Sequence, residues 1–65
     1  MEVKYHIGDI FVRKGVRDGN SYIVKEIVFM PTEPVYVLEP YHWKIGYDIE
    51  LGESAVDELY VKTNG

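Results

Sequence analysis

A chain of 65 residues, 46% of them hydrophobic and 14% aromatic, holds material for one small core and not for two domains. It has no cysteine, which excludes a disulfide framework and thiolate chemistry and fits a reducing, cytoplasmic setting. A net charge of −4 weighs against general nucleic-acid binding, because phosphate contacts supply much of that affinity.

Met1 to His6 reads as a lead-in or short edge strand with Val3 and Tyr5 on one side, and Gly8-Asp9 as a turn. Ile10 to Lys14 follows as a strand, with Ile10 and Val12 on one face and Phe11 and Arg13 on the other. The segment GVRDGN, Gly15 to Asn20, is a loop by composition and sets Lys14 and Arg17 close together.

The longest apolar run is Ser21 to Met30, SYIVKEIVFM. As a strand it sets Tyr22, Val24 and Val28 on one side and Ile23, Ile27 and Phe29 on the other. Both faces are apolar, so the strand belongs in a small barrel where it bends to serve two halves of a sheet, with Lys25 and Glu26 at the bend or bulge. Pro31 and Pro34 remove ladder donors, so the chain turns there and Val35 to Glu39 returns antiparallel, stopped by Pro40.

From Trp43 to Leu51, Trp43, Ile45, Tyr47, Ile49 and Leu51 alternate with Lys44, Gly46, Asp48 and Glu50. That period predicts a half-buried strand with Asp48 and Glu50 beside one another on its wet face, or a loop and a shorter strand if Gly46 breaks it. Gly52 ends that strand. Ser54 with Asp57 three residues on predicts a serine-capped 3₁₀ turn, and Leu59 to Lys62 is the last strand, followed by a frayed end. The fold expected is all-β: a small five-stranded SH3-like barrel, a single domain over residues 1–65, with one short 3₁₀ turn before the last strand.

Charge is divided along the chain. Residues 1–25 carry five cations and three acids, a net +2, while residues 26–65 carry two cations and eight acids, a net −6. Asp48, Glu50, Glu53, Asp57 and Glu58 fall in one stretch without a base. They form either a solvated face or a surface for a basic partner. Tyr41-His42-Trp43 with Tyr47 is an aromatic cluster of the kind that grips peptides or stacks bases, or else closes the end of a small barrel.

Catalytic groupings are missing from the pattern. Ser21 begins a strand and Ser54 reads as a cap; neither sits in a glycine elbow. His6 and His42 have no ligand spacing around them, so no metal and no cofactor is expected. Gly15 and Gly19 do not lead into a helix that would cradle phosphate. The segment MEVKYHIGD has no apolar run behind its charges, and no window approaches the ~18 to 20 residues that span a bilayer, so a soluble, untargeted chain is expected.

The series IGDIFVRKG, YIVKEI, VYVLEP and SAVDELYVK, spread over Ile7 to Lys62, resembles small SH3-like barrel proteins of bacteria and their phages. Gly8 to Ile27 is also similar to the strand, glycine loop and strand of KOW-type modules in ribosomal and transcription proteins. This chain has Tyr22 where that module has a glycine leading into its second strand. The first resemblance implies the fold, while the divided charge and the aromatic cluster point to a non-catalytic protein-interaction module, a monomer or weak homodimer. Its acidic face Asp48, Glu50, Glu53, Asp57 and Glu58 would meet a basic protein, with Tyr41 or Trp43 as anchor; one version is a phage-type inhibitor that imitates nucleic-acid charge. The second implies RNA or DNA contact through Arg13, Lys14 and Arg17.

Overall fold

The computed structural model describes residues 2–15, 21–41 and 46–63. Its regular elements are β1 (Ile10–Arg13), β2 (Tyr22–Phe29), β3 (Pro34–Pro40), β4 (Ile49–Gly52), α1 (Glu53–Leu59) and β5 (Tyr60–Lys62). The strands form one antiparallel sheet in the order β4-β3-β2-β1-β5. Four strands run as a meander, and the chain then passes through α1 to lay β5 beside β1. The sheet curls into a half-barrel, the small all-β barrel fold expected from the strand pattern.

β2 occupies the middle of the sheet, and its register with β3 slips between Val24 and Glu26, which makes Lys25 the extra residue of a bulge. The extra residue changes which side chains share a face. Tyr22 and Val24 meet the core before the bulge and Ile27 meets it afterwards, while Phe29, one step beyond, is 62% exposed. The simple alternation that grouped Val28 with Val24 therefore holds only as far as the bulge. Pro34 and Pro40 sit at the two ends of the β2–β3 ladder, opposite Phe29 and Tyr22, where few further ladder bonds depend on them.

Two cross-strand rows build the core. Val24, Leu38 and Ile49 lie opposite one another, as do Ile27, Tyr36 and Leu51. Phe11, Val24, Tyr36, Leu38, Val56 and Tyr60 are buried, and Tyr5, Tyr22, Ile27, Ile49 and Leu51 pack against them. The lead-in at residues 2–9 is not a strand. Gly8, with φ of 96°, turns it at His6–Asp9, and Gly8 N–H and Asp9 C=O then bond to the backbone of Val24 at 3.0 and 2.9 Å. Only a residue tolerant of positive φ makes that turn without strain.

Of the two readings of residues 43–51, the loop and shorter strand is the one found: β4 spans Ile49–Gly52 and Gly46, before it, takes φ of 138°; residues 43–45 lie outside the described residues. The segment before β5 is a seven-residue α-helix and not a 3₁₀ turn. Val56 holds it down, fully buried, and the Tyr60 N–H closes its end on Val56 C=O.

Ser54 does not cap this helix. Gly52 is at the N-cap position with no side-chain bond, and the acceptor comes from the β2–β3 turn: Glu33 takes the Ser54 N–H at 2.9 Å and its hydroxyl at 3.1 Å. A methyl group on Gly52 would collide with the Glu33 carboxylate. Glu33→Ala is therefore expected to cost about 1 kcal/mol, within the range for loss of a helix cap. Gly52→Ala should cost a similar amount by displacing that carboxylate, and the double variant should lose little more than either alone. Thermal unfolding of the three variants checks this; full additivity would separate the two residues.

Candidate functional site

The face of the sheet turned away from the core carries a compact group of acids on β2, β3 and β4. Glu26, Val37 and Glu50 lie opposite one another in one row. Glu39, next to buried Leu38, points to the same side. Lys25, at the bulge, stands among them and pairs with Asp48 at 2.5 Å. The Asp48 carboxylate, and beyond it Glu39 and Glu26, hold the Lys25 ammonium above its ordinary value. The result is three carboxylates around one cation, with Glu50 in the same row as Glu26 and Val37 almost wholly covered between those two. Sequence reading named Asp48 and Glu50 for this surface and missed Glu26 and Glu39. The signal for Glu26 lay in the β2–β3 register, which the bulge sets, and that for Glu39 in the β3–β4 register.

The other acids of the expected face lie elsewhere. Glu53 and Asp57, on α1, turn toward the lead-in. Glu53 Oε2 accepts the Tyr36 hydroxyl at 2.6 Å and the Lys4 N–H at 3.0 Å, and Tyr36 Oη in turn accepts the Tyr5 N–H at 3.1 Å. Asp57 accepts from the Tyr5 hydroxyl and pairs with Lys4 at 2.8 Å. Those donors hold its carboxyl below the usual value, the Lys4 bond first and the Tyr5 bond second. Tyr5 sets its ring edge-on to Phe11 and Tyr36, so this network closes the core beneath α1. Glu58 is exposed on α1.

A second surface lies at the sheet end where β1 passes to β2 and β3 to β4. Tyr41 N–H bonds to Ser21 C=O there at 2.9 Å, which ties the aromatic segment to the start of β2. Tyr41 is 45% and Tyr47 90% exposed, so Tyr47 does not close the barrel. Arg13 is exposed at the end of β1. Lys14 gives its Nζ to Asp57 C=O at 2.9 Å, near the C-terminus of α1 where a cation is favoured. Arg17, His42 and Trp43 lie outside the described residues. His6 serves the turn, its N–H bonding Asp9 Oδ2 at 2.9 Å.

Among the described residues no group of three or more histidine, aspartate or glutamate side chains is arranged to hold a metal ion, and no helix is long and apolar enough to cross a membrane. Ser21 is buried at the start of β2, and the Ser54 hydroxyl is held by Glu33. No family model, curated protein or solved structure matches the chain.

Proposed function

We propose that the chain is a non-catalytic protein-interaction module whose acidic outer face meets a basic protein surface. The observation that carries this is the group of Glu26, Glu39 and Asp48 around Lys25, with Glu50 in the same row as Glu26, on a sheet face that also presents half-buried Val28 and Val35. Acids gathered on adjacent strands repel one another, and a cationic partner relieves that repulsion and is steered toward them. Exposed Tyr41 and Tyr47 flank the group as apolar anchors, with Trp43 in the same segment. A basic protein that handles nucleic acid is the natural target, with the module acting as an inhibitor or regulator of the phage type in a bacterial cytoplasm.

Charge reversal tests the reading. Asp48→Lys with Glu50→Lys should slow association with the captured partner by about tenfold or more at low salt and flatten the dependence of its rate on ionic strength. An unchanged salt slope contradicts it.

The alternative is a nucleic-acid-binding barrel using Arg13, Lys14 and Arg17, favoured by one observation: the basic strand end and exposed Tyr41 share one end of the sheet. Against it, Lys14 is already engaged with α1. Neutralising the three cations should abolish binding under this alternative and leave it intact under the main reading.

A further inference from the structure

We infer that β4 is a docking edge, to which a partner protein adds an extended segment alternating lysine or arginine with apolar residues. The inference rests on the reading of the chain as a module for a basic protein and specifies how that partner sits. β4 is the terminal strand of the sheet and pairs with β3 along one side. Among the described residues nothing pairs with the other side. Such an edge presents unmade backbone donors and acceptors, which is the template for strand addition.

The side chains along β4 say which strand fits. Ile49 and Leu51 turn to the core and are half-buried, while Glu50 between them turns outward in the row of Val37 and Glu26. A strand laid beside β4 would extend the core with apolar residues on one face and meet Glu50 with a cation on the other. Asp48 and Tyr47 stand just before β4, and Tyr47, 90% exposed, is free to take a cation over its ring.

A second copy of this chain fits worse. Paired antiparallel with the apolar rows continuous, it would set Glu50 opposite its own counterpart, and directly opposed like charges destabilise a sheet. The other terminal strand, β5, does not compete for a basic segment. It has three residues, and its outlying charge is the cation Lys62, paired with Asp9 at 3.5 Å.

The test uses the intact chain and a synthetic peptide of alternating valine and lysine, about nine residues long and blocked at both ends. Two further versions carry N-methyl groups, one at every valine and the other at every lysine. Alternate residues of a strand direct their N–H groups to opposite edges, so the direction in which the peptide lies decides which methylation blocks pairing. The unmethylated peptide should bind and slow amide exchange within Ile49–Gly52. One methylated version should lose at least about tenfold in affinity while the other keeps it. Glu50→Lys should weaken the unmethylated peptide by about tenfold.

If both methylated peptides bind like the parent while Glu50→Lys still weakens all three, strand addition is overturned and the acidic-surface reading stands. Binding without slowed exchange in β4, or equal binding of a valine–glutamate peptide, also overturns the inference. If a single-stranded oligonucleotide binds and the peptide does not, both the inference and the reading it rests on fall.

Discussion

Leu38→Ala is expected to remove a large share of the domain's stability, a loss of about 2 to 5 kcal/mol. Leu38 is fully buried, in the row between Val24 and Ile49, and a chain of this length has a total stability of only roughly 3 to 10 kcal/mol. Val24 and Ile49, on either side of Leu38, are β-branched and stiff and refill the cavity poorly. Ile27→Ala, at a half-buried position past the bulge, should cost less than Leu38→Ala. Urea unfolding followed by tyrosine fluorescence checks both. A loss within about 0.5 kcal/mol for Leu38→Ala, or the reverse ranking, would contradict a core centred on Leu38.

The second large effect is unfolding at high pH. Tyr5 and Tyr36 are both pushed up to about 12, chiefly by burial, then by hydrogen bonds to Asp57 and to Glu53. The folded chain thus keeps phenolic protons that the unfolded chain releases near 10.0. Their contribution to stability is complete below pH 10 and is lost as pH rises from 10 through 12. We expect the thermal midpoint to fall steeply across that window, and Tyr5→Phe to make the fall shallower. Asp57 gives the opposite limb. Its carboxyl is lowered from 3.8, so its contribution is present above that value and disappears as pH falls below it. Asp57→Asn should flatten the acid limb and also make the alkaline one shallower, because the Tyr5 hydroxyl loses its carboxylate acceptor while Tyr36 keeps Glu53. A midpoint indifferent to pH between 10 and 12 would mean that the network under α1 does not form.

The strand pattern was legible because it rests on short-range chemistry. Pro31 and Pro34 had to end a ladder, the glycines had to turn the chain, and polar Lys25-Glu26 inside an apolar run had to mark an irregularity, which the bulge at Lys25 is. What the sequence withheld was set by contacts distant along the chain. Ser54 looked like a cap because the reader of a sequence sees Asp57 three residues away, but Glu33 reaches it from another turn. The acids of residues 48–58 looked like one face because they are consecutive. In three dimensions α1 turns Glu53 and Asp57 toward Lys4, Tyr5 and Tyr36, and strand pairing, with the bulge on β2, brings Glu26 and Glu39 to the face of Asp48 and Glu50 instead. Exposure of Tyr47 followed from Gly46, whose positive φ ends the alternation before it can bury that ring.

The most direct measurement of the central claim is capture from bacterial lysate, with and without nuclease treatment, by three immobilised forms: the natural chain, the Asp48→Lys/Glu50→Lys variant and the Arg13→Ala/Lys14→Ala variant. Circular dichroism of each form first establishes that it is folded. An acidic binding face predicts that one basic protein is retained by the natural chain and by the Arg13/Lys14 variant and released from the Asp48/Glu50 variant. Capture that disappears with nuclease, or that survives reversal of Asp48 and Glu50 while failing without Arg13 and Lys14, would contradict the acidic face and move the binding surface to the basic end of the sheet.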